Sequence, residues 1–170
     1  MRFWMDTPTF AVILLSNSAY PETAETLNIS DTLAVVLLGG LTARVGTYNA
    51  VLSWDSRIND MLKRGLCVPV CPEVLGGLPV PRLPAEIFRD IVLNLKGDDV
   101  TAAYEDGARK ALLVGLQTGC TSAILKARSP SCGAGSIYDG TFTHARVTGD
   151  GVFAALLRRH GFTLLTEEEL

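Results

Sequence analysis

Long apolar runs are missing from this sequence. Phe10 to Leu15 gives six consecutive apolar residues behind Asp6, Pro8 and a single arginine, against the roughly 20 that a membrane span needs, and those flanks do not suit a signal peptide. A block of like charge is missing too. Fifteen Lys and Arg stand against 18 Asp and Glu, a net charge of −3 with no basic field of the kind nucleic-acid binding leaves. Neither a membrane nor a nucleic acid is expected as partner, and a small molecule is. The nucleotide patterns G-x-G-x-x-G and Walker A are absent, although Gly39-Gly40 and Gly133-Ala134-Gly135 are rich in glycine. So are the compact Cys-x-x-Cys spacings of zinc ribbons and ferredoxins.

What is present suffices for one core. The chain has 170 residues, 48% of them hydrophobic, enough for a single soluble domain that needs no disulfide staples. Its four cysteines, Cys67, Cys71, Cys120 and Cys132, therefore point to a reducing, cytoplasmic setting. Residues 1–31 mix Thr, Ser, Asn and Pro, contain no lysine up to Ser30, and read as a divergent or loosely attached segment before a domain over 32–170. Thr32 to Leu38 is an apolar run closed by two glycines, the pattern of a buried parallel strand. A helix is expected from Ser53 or Asp55 to Gly65, and a strand over Cys67 to Val70. Prolines 69, 72, 79, 81 and 84 make residues 70–84 a long shaped loop without regular structure.

Farther on, Ile91 to Leu95 suits an edge strand. A helix over 98–118 puts Tyr104, Ala108, Leu112 and Leu116 on one stripe, with Gly107 a tolerated weakness. Ser122 to Leu125 is a short buried strand. The last helix starts near Asp150 and stops at Arg158-Arg159-His160-Gly161, where basic residues and glycine suit a helix end, and Phe162 to Leu165 is the last strand. This alternation predicts an α/β domain with a mainly parallel, Rossmann-like sheet flanked by helices, its ligand crevice beyond the carboxyl ends of the strands.

Three loops would meet there, and two carry Cys71 and Cys132. Paired thiolates suit a soft metal or an iron-sulfur cluster; buried unligated thiols are the plainer alternative. Glu73 either carries a proton in apolar surroundings or pairs with Arg82. Ser129 and Ser131 either act on a substrate or bond the turn's own backbone. Lys126 and Arg128 either form a positive rim for an anion or stay solvated. A redox disulfide between Cys67 and Cys71 is disfavoured, since residues four apart in a strand lie well beyond disulfide reach.

Three longer stretches then carry more than spacing does. "VPVCPEVLGGLPVPRLPAEI" from Val68, "AILKARSPSCGAGSIYDGTF" from Ala123 and "GDGVFAALLRRHGFTLLTEEEL" from Gly149 closely resemble the DUF523 family of thiouracil desulfidases. The resemblance covers residues 33–170. It implies a [4Fe-4S] cluster held by three cysteines, two of them matched by Cys71 and Cys132, with an open iron for the sulfur of a 2-thiouracil-like base. It implies Glu73 as the proton-transfer carboxylate, with Ser129 or Ser131 positioning the substrate or sharing in the proton transfer; Arg44 and the rim residues Lys126 and Arg128 are the expected substrate-binding groups. A small thiolated base is the expected partner, with thiolated tRNA left open as its carrier. At the position of the family's first ligand this chain has Val36 or Leu37, while Arg44 is retained.

Overall fold

The computed structural model describes residues 11–16, 32–37, 61, 66–79 and 82–170, the first two segments by backbone alone. Strands β1 (Ala11–Ser16), β2 (Thr32–Leu37), β6 (Cys120–Leu125) and β9 (Thr163–Thr166) form a sheet in the order β2-β1-β6-β9. Ala11 pairs with Leu37 on one side and with Leu125 on the other, both ladders antiparallel. Strands β6 and β9 run parallel, with Leu125 opposite Thr166. The ends of β2, β6 and β9 therefore lie along one edge of the sheet.

The expectation of a mainly parallel, Rossmann-like sheet is corrected by these ladders: the domain is α/β, but of its three main-sheet pairings only β6 with β9 is parallel among the described residues. The physical reason is that an apolar run reports burial and not direction. β1, inside the segment set apart in sequence, enters between β2 and β6 in the opposite sense.

Strand β3 (Cys67–Val70) packs beside β1 and β2. The stretch expected to be irregular starts instead with a short helix, α1 (Pro72–Leu75), whose first residue is a proline, the place where its missing N–H costs nothing. Ile91 to Leu95 is not an edge of the main sheet. β5 (Ile91–Asn94) pairs with β4 (Ala85–Phe88) in a separate hairpin. Its turn places Arg89 at φ 58, and Glu86 accepts the backbone N–H groups of Gly140 and Phe142 at 3.0 and 2.9 Å.

Helix α2 (Thr101–Gln117) starts where Thr101 N donates to Asp99 Oδ1 at 2.9 Å. It buries Tyr104, Ala108, Ala111 and Leu112, while Leu116, assigned to the same stripe in sequence, is exposed. The ribbon of β7 (Ser136–Tyr138) and β8 (Arg146–Thr148) follows β6. Helix α3 (Val152–Arg159) ends on Arg158 and Arg159, and Gly161 at φ 79 lets Phe162 N reach Leu157 O at 3.1 Å, as the sequence pattern leads one to expect. The core gathers Leu66, Val70, Ile124, Leu125, Phe153 and Leu157 between the sheet and these helices.

Helices α1 and α2 touch backbone to backbone. A Cβ on Gly107 would stand 1.8 Å from Pro72 O, and one on Gly76 2.0 Å from Ala103 O. No helix among the described residues is long and apolar enough to cross a membrane.

Candidate active site

Cys71 leaves β3 in an extended conformation and stands immediately before α1, where Leu75 N closes the turn on its carbonyl at 3.0 Å. Glu73, in the first turn of α1, is 2% exposed. The chain then comes back so that one guanidinium ties the segment together. Arg82 Nε donates to Glu73 Oε2, Nη1 to Pro79 O at 3.1 Å, and Nη2 to Cys71 Sγ at 3.6 Å. Of the two readings open for Glu73 in sequence, pairing with Arg82 is therefore present, and it leaves the carboxylate beside a thiol.

Cys132 comes from the loop after β6, and that loop is built by its own hydrogen bonds. Ser129 Oγ accepts the N–H groups of Ser131 and Cys132 at 3.0 and 3.1 Å, and Ser129 O accepts that of Gly133 at 2.8 Å. Carbonyls of Pro130 and Ser131 take the first N–H groups of α3, from Val152 and Phe153 at 2.9 and 2.8 Å. The turn is thus fixed to the helix, and Cys132 is fully buried. Ser129 serves the backbone. The Ser131 hydroxyl, also fully buried, has no partner of ordinary hydrogen-bond geometry and adjoins Cys132.

Electrostatics shows that the two cysteine segments meet. Burial pushes the Cys132 thiol well up, the charges of Glu73 and Cys71 push it further, and the Ser131 side chain and Lys126 backbone act against this. Burial likewise raises Cys71, followed by Glu73, with Arg82 and the Val74 backbone opposing. Tyr104, from the buried face of α2, joins the same group: burial first and Glu73 next hold its hydroxyl protonated, and it also feels Arg82, Cys71 and Cys132. Sequence reading placed Tyr104 in the core and Arg82 only as a partner for Glu73. The one available signal was a tyrosine among the alanines and leucines of the α2 stripe.

The other candidates are placed elsewhere. The Lys126 ammonium pairs with Glu167, and Arg128, in the left-handed region at φ 64, pairs with Glu168 at 2.6 Å. Both carboxylates belong to the short 3₁₀ turn Glu167–Glu169. Arg44, Val45 and Gly46 lie outside the described residues, as does the expected helix over 53–65 apart from the buried Met61. No disulfide joins the four cysteines.

Set against a [4Fe-4S] cluster, this buried group of side chains offers the right chemistry in too small a number. Two soft thiols converge, yet no group of three His, Cys, Asp or Glu among the described residues is arranged to hold a metal. The residues present do not complete a three-thiolate site.

The chain is similar to the solved structure of the [4Fe-4S]-dependent thiouracil desulfidase TudS, at 43% identity and a TM-score of 0.65, over 68% of this chain and 77% of that one. It is 39% identical to the uncharacterized protein YbbK of Bacillus subtilis (strain 168), over 78% of this chain and 93% of that protein. Residues 41–169 match the family described as 2-thiouracil desulfurase, and with three quarters of its length in that match the chain belongs to the 2-thiouracil desulfurase family.

Proposed function

We propose that this protein removes the sulfur of a small thiolated pyrimidine, a 2-thiouracil-like base, at the buried group formed by Cys71, Glu73, Arg82, Tyr104, Ser131 and Cys132. The observation that carries this reading is that Arg82 ties Cys71 to Glu73, and that the charges of both act on the buried Cys132 of the loop after β6. Overall, water supplies the oxygen that replaces sulfur, and sulfur leaves as sulfide. Soft thiolates suit the [4Fe-4S] chemistry on which the similar TudS depends. The chain's own groups do the rest. Cys71 and Cys132 would supply the two thiolates the chain has for such a group. Glu73, held by Arg82, takes the proton of the incoming water, and a positioned carboxylate of this kind contributes about 10²- to 10⁴-fold. Ser131, whose buried hydroxyl adjoins Cys132, donates to the base. Low dielectric around groups this buried strengthens each of these contacts. We place the protein in the reducing cytoplasm, where thiols persist.

The test is turnover of 2-thiouracil to uracil and sulfide by protein reconstituted anaerobically with iron and sulfide in a thiol-containing buffer. Wild type is expected to convert the base, and Glu73→Gln to lose at least about 100-fold in kcat. An iron-loaded protein that leaves the thiobase intact overturns the proposal. The shortfall in thiolates favours a second reading, a cluster-free relative that binds a small molecule or serves a structural role. Under it, Cys71→Ser changes neither iron content nor thiobase binding, whereas the cluster enzyme loses both.

A further inference from the structure

The side chains of the candidate site are closed off from solvent. None of Cys71, Glu73, Tyr104, Ser131 and Cys132 is more than 2% exposed, so a small molecule reaches them only if some part of the fold moves aside. The two segments that carry the cysteines each run on into a two-stranded arm. Arg82, which holds Glu73 and Cys71, stands three residues before β4 of the β4–β5 hairpin. The Cys132 turn runs into the β7–β8 ribbon, and the chain leaving the ribbon bonds back to it: Gly149 N donates to Gly135 O at 3.3 Å and Gly151 N to Gly133 O at 2.7 Å. Ile137 of β7, itself buried, covers the turn so closely that a Cβ on Gly133 would stand 2.8 Å from its Cγ2.

Away from the site the arms meet at Glu86. This buried β4 carboxylate accepts, with Oε2 alone, the N–H groups of both Gly140 and Phe142 in the tip of the ribbon. Packing there is tight as well, since a Cβ on Gly140 would stand 2.7 Å from Ile87 O and from Phe88 Cα. The backbone at this junction is strained. Of the four non-glycine residues that the described chain places in the left-handed region, three stand here: Arg89 at φ 58, Phe142 at 57 and His144 at 66. Such conformations persist only where the surroundings hold them. The tip's other hydrogen bonds among the described residues are internal, between Thr141 and Asp139, between Thr141 and Thr143, and from Asp139 N to Ala145 O. Thr141, Thr143, His144 and all of β8 are exposed. Once Glu86 lets go, the tip can relax and swing as one piece.

We propose that Glu86 and the tip of the β7–β8 ribbon form a strained clasp, and that its opening lifts Ile137 from the Cys132 turn and admits a small molecule to the buried group. From the desulfidase reading the inference takes only that a small molecule must reach these side chains. Its test reads their exposure without turnover, so a failure here leaves that reading standing.

The test alkylates the full, reduced, iron-free chain anaerobically with iodoacetamide at one pH and follows each cysteine by peptide mass. Cys67 and Cys120, buried at the starts of β3 and β6, serve as internal controls. Losing a hydrogen bond to a charged acceptor costs roughly tenfold or more in an equilibrium constant. Glu86→Ala is therefore expected to speed the reaction of Cys71 and Cys132 at least about tenfold and to leave Cys67 and Cys120 within about twofold of wild type. Acceleration shared by all four thiols, as general destabilisation gives, or missing at Cys71 or Cys132, overturns the proposal. Wild type supplies a second measurement should the variant fold poorly. Exchange of the Gly140 and Phe142 N–H groups, read by NMR, and alkylation of Cys132 are expected to give one opening constant. Opening of Cys132 more than about tenfold rarer or more frequent than that of the clasp overturns it.

Discussion

Arg82 concentrates three jobs in one guanidinium. It neutralises Glu73, donates to Cys71 Sγ and anchors to the Pro79 carbonyl. Its side chain is 13% exposed and that of Glu73 only 2%, so removing the cation leaves a carboxylate nearly without solvent. Arg82→Met is expected to lower unfolding free energy by about 3 kcal/mol, the lower range for breaking a buried pair, read as a fall in the urea midpoint at unchanged slope. Arg82→Lys restores the charge but not the fork and should recover only part of it. A loss under about 0.5 kcal/mol would mean that the pair behaves as a surface one. At this scale the sequence is legible where partners are near. Ser129 bonding its own turn, and Glu73 with Arg82 nine residues on, follow from turn chemistry and charge. Lys126 and Arg128 find their carboxylates some 40 residues later, at Glu167 and Glu168, and no local pattern encodes that.

Among elements, the contact of α1 with α2 sets where Cys71 stands. The two helices meet at Gly76 and Gly107, each facing a backbone carbonyl of the other helix with no space for a methyl group. Helix propensity alone says Gly107→Ala should stabilise α2 by about 1 kcal/mol. The packing reverses the sign: the variant is expected to lose about 1–3 kcal/mol and to shift the Cys71 turn, measured by thermal unfolding together with iron uptake. A stabilised variant would show that the helices slide apart freely. Propensity made Gly107 look like a weakness because the sequence shows a helix's cost for glycine and hides the neighbour that requires it. The same blindness explains the strands. Runs such as Thr32 to Leu38 and Ser122 to Leu125 revealed that strands exist and roughly where they end, while their direction depends on β1.

For the molecule as a whole, the far end of the chain closes back on the site. Glu167 takes the Ala127 N–H at 2.6 Å as well as the Lys126 ammonium, and Glu168 holds Arg128, so the 3₁₀ turn secures the stretch leading to Cys132. Deleting residues 167–170 is expected to raise amide exchange across residues 126–132 while α2 stays protected, and to lower the melting temperature by several degrees. Unchanged exchange there would show that the loop holds itself. Strand-helix alternation leads one to expect the loops after β3 and β6 at the carboxyl ends of a parallel sheet; in the structure the charges of Cys71 and Glu73 act on Cys132 although the main sheet is mostly antiparallel. The cysteine count was legible too, and the fold places Cys67 and Cys120 at the starts of β3 and β6. The central place of β1 also has a cost in time. A ribosome delivers this strand about 100 residues before its neighbour β6, so the middle of the sheet cannot close until that whole stretch has been made, and folding must wait on a contact between distant parts of the nascent chain.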